Sequence, residues 1–123
     1  MTTGMVYLCS PYSHNDPAVR QWRFDAACRA TAAMLKAGLM VFSPIVHSHP
    51  VAACGLDAMD HRFWMRVDRP YLDWCESVAV LTLPGWRDSE GIAAELDIAR
   101  AADKVVFHIE PWMVDIEATE VMA

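Results

Sequence analysis

The amino-acid sequence predicts an α/β fold, namely a flavodoxin-like or Rossmann-like doubly wound sheet of about four to five parallel strands with helices on both faces. Short apolar runs alternate along the chain with longer stretches of helical periodicity, which is the pattern of βαβ units. Ser-Pro and Pro-Gly pairs close the apolar runs. A chain of 123 residues that is 54% hydrophobic fits one core, so we expect residues 1–123 to form a single domain.

The first third of the chain predicts a strand and a long helix. The apolar run Met5–Cys9 is ended by Ser10–Pro11 and predicts a buried strand. A loop rich in polar and turn residues covers 10–17. A helical pattern follows and ends near Gly38, with Lys36 as a cation in its last turn.

The middle third predicts a strand, a loop and a helix. Leu39–Phe42 is the second strand, and Ile45–Gly55 is expected to be a loop that carries two histidines. Asp57–Asp68 has helical periodicity. A kink or break is expected at Pro70, beyond which the helix could continue to Glu76.

The last third predicts two more strands around a glycine-containing loop and a helix. Val78–Leu83 is the third strand, a helix runs to about Ala102, and Lys104–Ile109 is the fourth strand. A short C-terminal tail, partly helical, is expected to follow.

Three loops should meet at one edge of this sheet. Ser10, Ser43 and Pro84 each lie just beyond the carboxyl end of a predicted strand. Ligands of open α/β sheets bind at that edge. We therefore expect one site built from the polar residues of these loops.

The loop after the third strand has the features of an anion-binding or sugar-binding segment. A helix N-terminus presents unpaired amides and the positive end of the helix dipole. Gly85 and Gly91 allow close approach of the backbone, and Glu95 lies about one turn inside the helix. The same pattern also fits a plain turn and a solvated surface helix, so spacing alone leaves both interpretations open.

Charge and composition exclude several classes of protein. A formal net charge of −6, with no cluster of Lys or Arg to offset it, argues against binding to a nucleic-acid polymer. The sequence shows no apolar run long enough to cross a bilayer and no charged-then-apolar leader, so we expect a soluble, cytoplasmic protein with no membrane partner.

Neither a metal nor a cofactor is expected. The four cysteines never form a C-x-x-C pair and are expected to be reduced core thiols. His47 and His49 are separated by one residue, without a carboxylate pattern typical of zinc sites. Contact with a sugar or phosphate is the better interpretation of these two side chains and of His14.

Three short motifs occur in order at the ends of predicted elements. They are Tyr7-Leu8-Cys9-Ser10-Pro11-Tyr12-Ser13, Trp64-Met65 with Asp68 before Cys75-Glu76-Ser77, and Leu83-Pro84-Gly85-Trp86 with Ser89, Gly91 and Glu95. With these motifs the sequence resembles the nucleoside 2-deoxyribosyltransferase superfamily. Within it, the chain is most similar to a small bacterial and phage branch that also resembles nucleoside 5′-monophosphate N-glycosidases. The resemblance extends to about Ile109.

The resemblance implies cleavage of the N-glycosidic bond of a nucleoside or nucleoside 5′-monophosphate, by hydrolysis or transfer. It places the nucleophilic glutamate at Glu95 and its partner acid at Asp68, with Asp73 as second choice. It implies substrate-binding roles for Ser10, Tyr12 and Ser89. It also implies a homo-oligomer, a dimer or tetramer whose neighbouring subunits complete the site.

The chemistry of the reaction is consistent with these residue types. Breaking a C1′–N bond builds oxocarbenium character on the sugar, which a carboxylate such as Glu95 can trap as an ester. A second acid such as Asp68 can protonate the leaving base. Backbone amides from Gly85 to Gly91 and the Ser89 hydroxyl can hold a phosphate or sugar hydroxyl, His47 can contact the ligand, and Tyr12 or Trp86 can stack on the base.

Two other functions stay open. Pro84-Gly85 with a later Gly and Glu is also similar to the phosphoribohydrolases that activate cytokinins, although Trp86 replaces a glycine of their loop. A non-catalytic nucleotide sensor could use the same edge. Many relatives have an aspartate where Ser77 stands. The sequence therefore does not decide which base is cleaved, or whether the reaction is hydrolysis or transfer. Part of the large apolar set Trp22, Phe24, Met59, Trp64 and Met65 is expected to form a subunit interface.

Overall fold

The computed structural model describes residues 4–117, and this part of the chain contains one four-stranded sheet. The strands are β1 (Met5–Cys9), β2 (Met40–Phe42), β3 (Ser77–Leu81) and β4 (Val105–Ile109). They lie in the order β2-β1-β3-β4, and every neighbouring pair is parallel. This arrangement confirms the predicted α/β fold class.

Helices cover both faces of the sheet, as expected. They are α1 (Pro17–Lys36), α2 (Pro44–Ala52), α3 (His61–Trp74) and α4 (Glu90–Ala101), with short 3-10 helices at Trp86–Asp88 and Pro111–Val114. Residues of α1 and of the 111–114 segment share one core cluster with the sheet, and residues of α3 and α4 share the other. Helix α2 lies against α1 and the end of β1.

Strand β1 shows why the central strands are apolar throughout. Val6 and Leu8 point into the cluster beneath α1, whereas Tyr7 and Cys9 point into the cluster beneath α3 and α4. Alternate side chains of a strand face opposite sides of the sheet, and both sides are covered here. A continuous apolar run is the consequence.

The prediction of a loop at Ile45–Gly55 is wrong, because most of this segment forms α2. The Ser43 hydroxyl accepts a hydrogen bond from the Val46 amide at 3.2 Å, and Pro44 occupies the first turn. Both are helix-start features. Pro50 lies near the carboxyl end, and the helix stops two residues later at Ala52. A proline there removes only one intrahelical hydrogen bond.

Helix α3 is shorter at its start than predicted and is not interrupted. It begins at His61 because the Asp60 carboxylate accepts a hydrogen bond from the Phe63 amide at 3.2 Å. It then continues through Pro70 to Trp74. Met59 therefore precedes the helix and is exposed.

The cysteines of residues 4–117 are all free thiols. None of the helices in this part of the chain combines the length and apolar character needed to cross a membrane. The predicted C-terminal tail begins with the 3-10 helix at 111–114, and its last six positions, 118–123, lie outside the described residues.

Candidate active site

A cavity of about 530 Å³ opens at the carboxyl edge of the sheet. The loop after β1, helix α2, helix α3 and the segment from the end of β3 into α4 all contribute to its wall. This is the convergence of loops that the sequence predicts. The wall is mixed, with carboxyl, hydroxyl, imidazole and guanidinium groups between apolar side chains.

The cavity brings together most of the side chains singled out from the sequence. Both candidate catalytic acids line it, and so do most of the candidate binding residues, namely Ser10, Tyr12, Gly85, Ser89 and Gly91. Asp73, the second choice for the partner acid, lies elsewhere on α3. It is exposed and accepts a hydrogen bond from Arg69 at 2.9 Å.

Two candidate binding residues do not line this cavity. His47 is exposed, and its ring lies 6.0 Å from Phe42 and 6.1 Å from Tyr71. Trp86 lies in a separate shallow groove, with its ring edge-on to His108 at 5.4 Å. Both follow a strand end as predicted, but neither side chain is part of the cavity wall.

Glu95 lies within the cavity wall and is only 6% exposed. Burial raises the pKa of its carboxyl group to about 8, and the nearby Asp68 contributes in the same direction. The Tyr7 hydroxyl and the Cys9 thiol interact with the carboxyl group and oppose this rise. The Tyr7 contact falls short of well-formed hydrogen-bond geometry. Burial therefore favours the protonated form of this carboxyl group.

Asp68 projects from α3 into the same cavity. Its side chain is 9% exposed, and burial raises the pKa of the carboxyl group to about 7. Its Oδ1 atom is buried and has no hydrogen-bond partner among the described residues. Together with Glu95, it forms a pair of coupled carboxyl groups that titrate near neutral pH.

Buried polar atoms without partners concentrate at this cavity. Within residues 4–117 they are Ser10 Oγ, Arg23 Nε, Ser48 Oγ and Asp68 Oδ1, all from residues of the cavity wall, and Tyr7 Oη, which is beside Glu95. Buried polar groups in folded proteins normally have partners, because leaving one unpaired costs about 1–3 kcal/mol. The concentration of such atoms here indicates a polar ligand.

Sequence comparison assigns the family. The profile of a family described as a domain of unknown function, DUF1937, matches residues 4–111. The chain belongs to the DUF1937 family. No curated protein matches the sequence.

Structural comparison relates this DUF1937 domain to an enzyme. The 2-deoxyribosyltransferase of the psychrotolerant bacterium Bacillus psychrosaccharolyticus superposes with a TM-score of 0.62 at 19% identity, covering 96% of this chain and 79% of that chain. That protein is described as a biocatalyst for the industrial synthesis of antiviral and antitumoral nucleosides. At this identity the likeness establishes a shared fold, and at that level it confirms the resemblance inferred from the motifs.

A hydrogen-bonded chain fixes Tyr12 in the wall of the DUF1937 cavity. The Tyr12 hydroxyl lies 2.7 Å from Nδ1 of His49, and Nε2 of His49 lies 3.1 Å from Oε1 of Gln21. The amide oxygen of Gln21 can only accept, so His49 carries its proton on Nε2 and accepts from Tyr12 at Nδ1. Burial lowers the pKa of His49, and its ring stacks on Phe24 at 4.3 Å.

Arg23 is a cavity residue that our sequence reasoning missed. It is 5% exposed and donates hydrogen bonds to the carbonyls of Ser13 at 3.0 Å and Pro84 at 3.4 Å, so it connects the loops after β1 and β3. Its position on the buried face of α1, four residues after Val19, was the available signal. Gly85 has a φ of +89° and approaches so closely that a Cβ there would lie 2.8 Å from Arg23 Nη2.

Proposed function

We propose that this DUF1937 protein cleaves the N-glycosidic bond of a nucleoside or nucleoside 5′-monophosphate, with Glu95 as nucleophile and Asp68 as the partner acid. The observation that carries the proposal is the pair of buried carboxyl groups with raised pKa values in one cavity. Titratable groups whose environments shift their pKa values towards neutrality are typical of acid–base and nucleophilic sites. The shared fold with a 2-deoxyribosyltransferase supports the choice of reaction class.

In the first step, an ionised Glu95 oxygen attacks C1′ of the sugar. The C1′–N bond breaks, its electron pair goes to the base, and a C1′–O ester to Glu95 forms. Asp68 donates its proton to the leaving nitrogen. The products of this step are a neutral free base and a glycosylated Glu95.

In the second step, water or a second base attacks C1′ and the ester bond to Glu95 breaks. Asp68, now ionised, accepts the proton of the incoming nucleophile and returns to its starting state. Attack by water gives hydrolysis, and attack by a base gives transfer. Ser10, Tyr12 and Ser89 line the same cavity and can hold the sugar and the base.

The protonation state of the pair is part of the proposal. The active form has one proton, with Glu95 ionised and Asp68 protonated. Burial favours neutral carboxyl groups in the unliganded protein, as the pKa values of about 8 and about 7 indicate. Oxocarbenium charge developing at C1′ favours ionised Glu95 in the transition state, where the stabilisation contributes most to the rate.

Free-base release tests the reaction class. The full chain would be incubated with ribonucleosides, 2′-deoxyribonucleosides and their 5′-monophosphates, with and without a second base, and the products separated by chromatography. Release of base supports the proposal, and appearance of a new nucleoside with the added base identifies transfer. Binding without release from any of these compounds would favour the nucleotide sensor instead.

A further inference from the structure

Two exposed carboxylates stand at the mouth of the cavity where α4 begins. Asp88 and Glu90 lie on either side of Ser89 and both line the cavity. Glu90 occupies the first turn of α4, so the positive end of the helix dipole already has a negative charge beside it. The Ser89 hydroxyl accepts a hydrogen bond from the Ile92 amide at 3.2 Å.

Arg23 supplies the guanidinium group of the cavity wall. Its two Nη atoms donate to the carbonyls of Ser13 and Pro84, and its Nε is left for a group deeper in the cavity. The guanidinium of Arg87 stacks over Trp86 at 5.0 Å in the separate groove. The other basic side chains of the wall are imidazoles, those of His14, His49 and His61.

Independent evidence that a ligand binds here comes from deeper in the cavity. The hydroxyl of Ser10, a residue that is 5% exposed, has no partner among the described residues. Arg23 Nε and Asp68 Oδ1 are likewise buried and unpaired in the described part of the chain. These atoms need a polar partner, and hydroxyl groups of a sugar can donate and accept hydrogen bonds.

The rise of α4 gives the separation between Glu95 and the carboxylates at the start of the helix. From Ser89 to Glu95 the helix rises roughly 9 Å at 1.5 Å per residue, a span that a ribose with its 5′ substituent covers together with the side chain of Asp88 or Glu90. With C1′ at Glu95, the 5′ end of the sugar reaches the start of α4. This placement rests on the proposed function.

We propose that the cavity selects an uncharged nucleoside over its 5′-monophosphate, and that Asp88 and Glu90 determine this preference. Either carboxylate can accept a hydrogen bond from a 5′-hydroxyl group. A phosphate group at the same point carries nearly two negative charges at pH 7. It would lie beside the two negative charges of Asp88 and Glu90. Within residues 4–117, these two carboxylates outnumber the single guanidinium of the wall, Arg23, so the net charge disfavours the monophosphate in both the ground state and the transition state.

The experiment compares kcat/KM for matched pairs, a nucleoside and its own 5′-monophosphate, at low and high salt. Wild-type protein should prefer the nucleoside by about tenfold or more at low salt, and salt should narrow the gap because it screens like charges. In the double variant Asp88→Asn with Glu90→Gln, the monophosphate-to-nucleoside ratio should rise by roughly tenfold. Asp97→Asn, an exposed carboxylate of the same helix outside the cavity, is the matched control and should leave the ratio unchanged.

Each outcome decides one claim. A wild-type preference for the monophosphate, or an unchanged ratio in the double variant, would overturn the inference while leaving glycosidic cleavage intact. If no compound releases base, the proposed function fails instead. Dissociation constants of the same matched pairs, measured by calorimetry on the same proteins, then test the charge selection without turnover, and equal constants would overturn it.

Discussion

Glu90 and Glu95 are the same type of residue on the same helix, yet their surroundings differ. Glu90 is exposed to solvent in the first turn of α4. Glu95 faces Tyr7 and Cys9 of β1, and burial raises its pKa to about 8. The comparison teaches that position against the central strand, and not residue type, separates the glutamate proposed as nucleophile from the one proposed to select against charge.

The largest expected effect is the loss of activity in Glu95→Gln. Without an oxygen nucleophile at C1′, base release should fall by about 10³-fold or more. The control is Asp97→Asn on the exposed side of the same helix, which should retain wild-type rates. Chromatographic assay of free base measures both, and near-wild-type release by Glu95→Gln would remove this residue from the mechanism.

The same variant should be more stable than the wild type at alkaline pH. The pKa of Glu95 rises from 4.5 to about 8 on folding, so its contribution to stability is complete below pH 4.5 and is lost as the pH rises through 8. Glutamine does not titrate. Relative to the wild type, the free energy of unfolding of Glu95→Gln should increase by on the order of 4 kcal/mol between pH 5 and pH 9.

Urea unfolding at pH 5, 7 and 9 measures this gain. Asp97→Asn again serves as control, and its stability should follow that of the wild type across the series. A stability difference that stays constant with pH would show that Glu95 is not held neutral by burial. The buried and exposed glutamates would then differ less than their positions suggest.

Asp68 and Asp73 offer the same contrast on α3. We expect Asp68→Asn to lower kcat/KM by about 10²-fold, because the leaving base loses its proton donor. The wild-type profile should be bell-shaped with apparent pKa values of the pair near 7 and 8, because the active pair has one proton: activity falls at low pH as the pair takes up a second proton and at high pH as it loses the last one.

The Asp68→Asn profile should lack the alkaline fall. Asp73→Asn is the matched control, since Asp73 is exposed and paired with Arg69, and its profile should match the wild type. An alkaline limb that persists in Asp68→Asn would assign the acid to another group.

The sheet and much of the site could be predicted because their signals are local. Strand β1 has the predicted bounds, since an apolar run closed by Ser10–Pro11 leaves little choice. The prediction misses α2 because it takes Ser43–Pro44 only as the end of the second strand, although this pair is also a helix-start signal.

Side-chain direction and long-range packing were less accessible to sequence reasoning. Trp86 and His47 follow strand ends, but which way such side chains point depends on packing partners distant in the sequence. Arg23 was missed because one arginine on an apolar helix face can simply extend to solvent. Its contacts with Ser13 and Pro84 arise only when the sheet assembles.

The smallest expected effect distinguishes Gly85, in the loop after β3, from Gly91, in the first turn of α4. Gly85→Ala should lower the free energy of unfolding by about 1–3 kcal/mol, since its φ of +89° disfavours alanine and the new Cβ would press on Arg23. Gly91 is helical, and a Cβ there would meet Ser89 Oγ at an ordinary 3.8 Å. Gly91→Ala should therefore keep or slightly raise the urea midpoint, because alanine favours the helix, which makes it the matched control. Equal urea midpoints for the two variants would mean that the Arg23 side chain moves aside without loss of stability. Arg23 would then not hold the loops after β1 and β3 in place around the buried carboxyl pair.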